Sequence, residues 1–148
     1  MAETNAGFPL SQDQVATILV VDDDPLIRMS LSDFLRGRGF NVHEANDATE
    51  AIAIIGSCSV AFDLVLADIV MPGDMAGYAL SQWIKHNRPD LPVILCSGDS
   101  KIAEAAQVLG GDAPFFRKPY DLDRMVAQIC RVVGVPDSPV TPIFSLRQ

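Results

Sequence analysis

The chain has 148 residues, of which 49% are hydrophobic and 20% charged, a balance that excludes a disordered or fibrous protein and predicts one domain with a substantial core. The formal net charge is −8 and the basic residues form no stripe, so we expect no binding to nucleic acid. The first residues carry no signal-peptide pattern, and no apolar run approaches the roughly 20 residues of a membrane span, so we expect a cytoplasmic protein without a membrane segment.

Short apolar runs alternate with amphipathic stretches along the chain. The apolar runs predict five strands, over residues 17–22, 40–45, 62–68, 91–96 and 113–117. The stretches with helical periodicity predict five helices, over residues 25–38, 48–55, 75–86, 101–109 and 122–133. Asp24 stands directly before Pro25, which is typical of an N-cap followed by proline at the first helical position.

The order of these elements predicts an α/β fold. The runs "ILVV", "LVLA" and "VILC" are apolar throughout, as expected for parallel strands that are covered on both faces. Right-handed crossovers then give a doubly wound, five-stranded parallel sheet with five helices. We expect this domain over residues 17–133, after a flexible N-terminal extension (1–16) and before a C-terminal tail (134–148).

Polar side chains stand where four of the predicted strands end. Asp22 and Asp23 follow the first apolar run, Asp68 ends the third, Ser97 follows the fourth and Lys118 follows the fifth. The carboxyl ends of parallel strands meet at one edge of the sheet, which is where ligands of such folds bind. We therefore expect three carboxylates, a hydroxyl and an ammonium group to converge in one cleft.

The converging acids predict a bound cation. Two unit charges about 4 Å apart repel each other by roughly 4 kcal/mol at an effective dielectric constant of about 20. Mg²⁺ (or Mn²⁺) takes oxygen ligands and would offset this repulsion. With the ion bound, the Asp68 carboxylate can attack a phosphoryl group as a nucleophile. The Lys118 ammonium and the Ser97 hydroxyl would then stabilise charge on the transferring oxygens.

Four segments carry a family resemblance. "ILVVDDDP", "DLVLADIVMPG", "PVILCSGD" and "FFRKPY" match, in order and spacing, the signature of the receiver domains of two-component response regulators. These domains have the flavodoxin-like, doubly wound fold, and the resemblance covers roughly residues 16–133. It implies that Asp68 is the phospho-acceptor. It also implies that Asp23, Asp68 and the backbone carbonyl of Val70 ligate Mg²⁺, with Asp22 reaching the ion through water.

The resemblance implies roles for three further residues. Ser97 matches the switch position that turns toward the phosphoryl group, Phe115 matches the aromatic position that rotates with it, and Lys118 pairs with the phosphoryl oxygens. One segment departs from the family pattern, because "MPGDMAG" is one residue longer than usual and lacks the aspartate before Gly77.

The function implied is a stand-alone phosphorylation switch of the chemotaxis-regulator type. A sensor histidine kinase or a histidine phosphotransferase donates the phosphoryl group, and the signal passes to an unknown protein target through changed binding. Such a protein is not an enzyme in the usual sense, since it catalyses only its own Mg²⁺-dependent phosphorylation and dephosphorylation.

Two alternatives remain open. A haloacid-dehalogenase-like phosphatase also uses Asp, Ser or Thr, Lys and Mg²⁺, and "DDDP" contains its Asp-x-Asp pattern, but Leu26 stands where that family has Thr or Val. A receiver-like binding module that is never phosphorylated would keep the fold, although the complete set of acids, hydroxyl and lysine argues against it.

Overall fold

The computed structural model describes residues 15–57, 59–69, 76–97, 115–117 and 121–134. The strands are β1 (Thr17–Val21), β2 (Asn41–Ala45), β3 (Leu64–Asp68), β4 (Val93–Ser97) and β5 (Phe115–Arg117). The helices in the described residues are α1 (Pro25–Gly37), α2 (Ala48–Gly56), α3 (Ala76–Asn87) and α4 (Leu122–Val133). The predicted helix over 101–109 lies outside the described residues, as do most of both predicted terminal segments.

The five strands form one parallel sheet in the order β2-β1-β3-β4-β5. The chain first places β2 on one side of β1 and then returns to place β3 on the other side. The strand order therefore reverses at β1 and β3, and a crevice forms at their carboxyl ends. The prediction of a doubly wound parallel sheet is confirmed.

The core consists of two clusters, one on each face of the sheet. Leu35 of α1 and Met125 and Ile129 of α4 are fully buried against one face, and Ala51, Leu80 and Ile84 of α2 and α3 cover the other. Successive residues of each central strand contribute to opposite clusters: Ile18 and Val20 belong to the first, Leu19 and Val21 to the second. This arrangement explains why the interior positions of the central strands are apolar on both faces.

The start of α1 sets the position of the acidic residues that follow β1. The Asp24 carboxylate accepts hydrogen bonds from the backbone N–H groups of Leu26 (2.9 Å) and Ile27 (3.3 Å), as the N-cap prediction requires. Pro25 occupies the first helical position. The cap thus ends the turn that carries Asp22 and Asp23. None of the helices in the described part of the chain is long and apolar enough to cross a membrane.

Candidate functional site

The carboxyl ends of β1 and β3 bring three acidic side chains together. Val21 is paired with Ala67 in the β1–β3 register, and the residues that follow this pair are Asp22 and Asp68. One carboxylate oxygen each of Asp22, Asp23 and Asp68 lies within 4.8 Å of the others. The three acids that the sequence assigned to a common cleft are therefore neighbours.

The three acids differ in exposure. Asp22 and Asp68 are buried, with 3% and 7% of their surface exposed, whereas Asp23 is exposed. Burying a carboxylate is costly unless hydrogen bonds or an opposite charge compensate it. Two buried carboxylates and an exposed one form a cluster of oxygen donors that water can reach through Asp23. This donor set fits Mg²⁺ or Mn²⁺, which prefer oxygen ligands and usually retain several water molecules.

Hydrogen bonds to the backbone N–H, the backbone carbonyl and the carboxylate of Asp22 hold this residue in place. Its backbone N–H donates to the carbonyl of Ala45 (3.2 Å), and its carboxylate Oδ1 accepts from the N–H of Asp24 (2.9 Å). The Arg28 Nη1 donates to the backbone carbonyl of Asp22 (2.8 Å). Strand β2, the acidic turn and helix α1 thus all restrain the buried acid that follows β1.

Arg28 is a residue that the sequence interpretation missed. Besides the Asp22 carbonyl, its guanidinium contacts Glu44 (Nε to Oε1, 3.1 Å) and Asn46 (Nη1 to Oδ1, 3.2 Å). The signal in the sequence is weak: an arginine one turn after an aspartate N-cap, and a glutamate in the following strand. Neither feature indicates a contact with the acidic turn until the strands are paired.

Gly77, the second residue of α3, lies directly against the end of β3. Its N–H donates to the carbonyl of Ile69 (3.2 Å). A Cβ atom at this position would overlap the carbonyl oxygen of Asp68 and lie 2.6 Å from its carbonyl carbon and 2.7 Å from the Cα of Ile69. Only glycine allows this close approach without a backbone shift. The segment "MAG" lacks the aspartate of the family pattern but keeps the glycine that this packing requires.

The remaining predicted site residues are only partly described. Cys96 is paired with Asp68 in the β3–β4 register, and Ser97 follows it as the last residue of β4, at the same edge of the sheet. Phe115 begins β5, where it is paired with Leu95. The side chains of Ser97 and Phe115 are not described, and Val70 and Lys118 lie outside the described residues.

The family follows from the match to a family model. The model of the response regulator receiver domain matches residues 18–130 of this chain. The chain therefore belongs to the response regulator receiver domain family, whose members are signalling switches of two-component systems and bind Mg²⁺ at an acidic pocket.

Curated relatives agree with this assignment. The chain is 34% identical to the sensor kinase CckA of Brucella abortus over 82% of this chain and 13% of that protein. It is 36% identical to the DNA-binding transcriptional regulator NtrC of Salmonella typhimurium, over 82% of this chain and 25% of the regulator. The probable transcriptional regulatory protein TcrX of Mycobacterium tuberculosis is 31% identical over 78% of this chain and 49% of its own length. The chain thus spans less than half the length of these relatives.

Solved structures share the fold over nearly their whole length. The response regulator receiver domain protein of Clostridium thermocellum superposes with a TM-score of 0.73 at 26% identity, covering 81% of this chain and 95% of that one. The response regulator TrrA of Thermotoga maritima, solved in complex with Mg²⁺ and BeF, gives a TM-score of 0.70 at 27% identity, covering 80% and 99%.

Proposed function

We propose that this receiver domain accepts a phosphoryl group on Asp68 and signals through changed binding to another protein. The convergence of the Asp22, Asp23 and Asp68 carboxylates within 4.8 Å carries this proposal. It supplies both a nucleophile and a charge environment that requires a cation. The donor is a sensor histidine kinase or a histidine phosphotransferase, the proteins with which receiver domains interact.

The proposed metal ligands are Asp23, Asp68 and the backbone carbonyl of Val70, with Asp22 acting through water. A bound Mg²⁺ or Mn²⁺ supplies Lewis-acid stabilisation of the transferring oxygens. An Oδ atom of Asp68 attacks the phosphorus atom of the donor's phosphohistidine, so that an O–P bond forms as the P–N bond breaks. The released imidazole nitrogen takes up a proton. Because Asp23 is exposed, the acidic cluster can be reached from solvent, as transfer from a protein donor requires.

Ser97, Lys118 and Phe115 complete the proposed switch. In this proposal the Lys118 ammonium pairs with the phosphoryl oxygens, the Ser97 hydroxyl turns toward them, and Phe115 rotates with Ser97. The positions of Ser97 at the end of β4 and of Lys118 directly after β5 support these roles, because both strands reach the sheet edge that carries Asp68.

The donor is proposed to contact the start of α1. Among the described residues the large exposed hydrophobic side chains are Val15, Leu26 and Met29, with 36%, 76% and 53% of their surface exposed. Leu26 and Met29 are three residues apart on α1, and therefore share one side of the helix. Exposed apolar side chains beside a reactive group favour contact with a protein over contact with a small molecule.

The output is proposed to be exerted on a separate protein. The relatives include a sensor kinase and transcriptional regulators of which this chain matches only 13%, 25% and 49%, so their remaining activities are not transferred to it. Absence of nucleic-acid binding, which the net charge of −8 supports, and a cytoplasmic location both stay predictions.

Chemical phosphorylation tests the proposal directly. Incubation with acetyl phosphate and Mg²⁺ should add the mass of one phosphoryl group to the intact protein. Asp68→Asn should abolish the adduct, whereas Asp33→Asn, at an exposed position of α1, should retain it. Absence of the adduct on the wild type would favour the inert binding module. Turnover of a phosphate monoester such as p-nitrophenyl phosphate would instead favour the phosphatase.

A further inference from the structure

Arg28 is a basic residue that contacts the acidic turn. Its guanidinium donates to three acceptors: the Asp22 carbonyl at 2.8 Å, Glu44 at 3.1 Å and Asn46 at 3.2 Å. The side chains of Arg28 and Glu44 are only 17% and 25% exposed. A planar guanidinium with fixed donor directions and several acceptors is held in one orientation, so Arg28 is a rigid support for whatever it contacts.

The main chain of Arg28 contacts the other end of the same turn. Its backbone N–H donates to the carbonyl of Asp24 (2.9 Å), forming the first hydrogen bond of α1. Arg28 therefore restrains both the residue that begins the acidic turn and the residue that ends it. Asp23, whose carboxylate is exposed, lies between these two restrained positions.

We propose that Arg28 is a positioning residue for the metal site, an inference that rests on the proposed function. By holding the Asp22 carbonyl, it keeps the Asp22 and Asp23 carboxylates at the separation from Asp68 that a divalent cation requires. Removing a group that hydrogen-bonds to a metal-binding residue and orients it commonly weakens metal binding by about 10- to 100-fold.

Electrostatics alone predicts the opposite change in metal affinity when the Arg28 side chain is removed. Removing a positive charge beside three carboxylates should strengthen cation binding, because the guanidinium repels the ion. Loss of positioning should weaken cation binding, because the carboxylates then spread apart under their mutual repulsion. The direction of the change in metal affinity therefore separates the two roles of Arg28.

The decisive measurement is Mn²⁺ affinity, followed by electron paramagnetic resonance of the free ion. Arg28→Gln should raise the dissociation constant about tenfold. Arg36→Gln is the matched control, since Arg36 pairs with the same Glu44 at 3.3 Å and its loss changes the net charge equally. Its other acceptors, Asp33 and the Val42 carbonyl, belong to α1 and β2. This control should bind Mn²⁺ within twofold of the wild type.

Two milder variants keep the test decisive if Arg28→Gln does not fold. Arg28→Lys retains the charge, but a compact ammonium cannot reach all three acceptors, so we expect a threefold to tenfold loss of affinity. Glu44→Gln leaves Arg28 in place and only weakens the ion pair between them, so the loss of Mn²⁺ affinity should be smaller than in Arg28→Lys. Circular dichroism melting in EDTA identifies the variants that are folded.

A second readout does not depend on the metal. The N–H of Asp24 donates to Oδ1 of Asp22, so its hydrogen exchange in EDTA reports whether the turn is held. Exchange at this amide should be faster in Arg28→Gln than in the wild type and in Arg36→Gln.

If the wild type binds Mn²⁺ while Arg28→Gln binds equally or more tightly, the role of Arg28 is refuted and the proposed function stands. If the wild type binds no Mn²⁺, the proposed metal site is refuted together with it.

Discussion

Gly77 at the start of α3 donates its backbone N–H to the carbonyl of Ile69, and its Cα faces the carbonyl of Asp68 with no room for a side chain. The candidate phospho-acceptor therefore ends its strand against a helix that only glycine allows to approach so closely. Because these neighbouring atoms belong to the backbone, a larger residue cannot be accommodated by rotating a side chain.

Gly77→Ala should destabilise the protein and slow phosphorylation. Forcing a methyl group into a closely packed contact costs about 1–3 kcal/mol, and here the displaced atoms belong to Asp68 and Ile69. Urea unfolding followed by the fluorescence of Trp83, the single tryptophan, measures the loss. Gly37→Ala is the control, since a Cβ there meets nothing within 4 Å and its stability should be equal or slightly higher. Equal stability of both variants would contradict the proposed contact.

Asp68→Asn should have opposite effects on stability with and without metal. In EDTA the variant should be more stable than the wild type, by about 1 kcal/mol, because one of three mutually repelling carboxylates is neutral. With saturating Mg²⁺ the order should reverse, since the ion stabilises only a protein that binds it. Thermal unfolding in the two buffers provides the comparison. A variant less stable in EDTA would show that Asp68 is not under repulsion.

Ser32→Ala should stabilise the fold without affecting the site. The Ser32 hydroxyl in α1 is fully buried and has no hydrogen-bond partner within the described part of the chain. Removing an unsatisfied hydroxyl relieves a desolvation cost of about 1–3 kcal/mol, and alanine is also the better helix former. Ser30→Ala in the exposed part of the same helix should gain only about 0.5 kcal/mol. A larger gain at Ser30 than at Ser32, measured by urea unfolding, would refute this expectation.

Leu26→Ser with Met29→Ser should separate protein donors from chemical ones. The two side chains are exposed on α1, which begins two residues after Asp23, so their loss should slow transfer from a phosphorylated histidine kinase or phosphotransferase about tenfold or more. The rate with acetyl phosphate should not change, since a small donor needs no docking surface. Radiolabel transfer and intact mass measure the two rates. Equal slowing with both donors would indicate damage to the site itself.

Local sequence patterns account well for the order and limits of the elements. Helix α4 begins and ends as predicted, because Asp121 caps its first turn and Gly134 ends it at a φ of 80°. Strands β3 and β4 begin two residues later than predicted, at Leu64 and Val93. The preceding apolar residues Phe62 and Leu91 pack against the core without joining the sheet. Hydrophobicity identifies buried residues, but only pairing with a neighbouring strand defines where a strand begins.

The amino-acid sequence was enough to predict which segments become strands, that the sheet is parallel, and that Asp22, Asp23 and Asp68 stand at strand ends. These are consequences of periodicity and composition, which act over a few neighbouring residues. Three contacts became visible only in the folded chain: the three carboxylates lie within 4.8 Å, Arg28 holds the acidic turn, and Gly77 faces Asp68. Such contacts depend on strand register and on how closely each helix packs against the sheet, which only the folded chain sets.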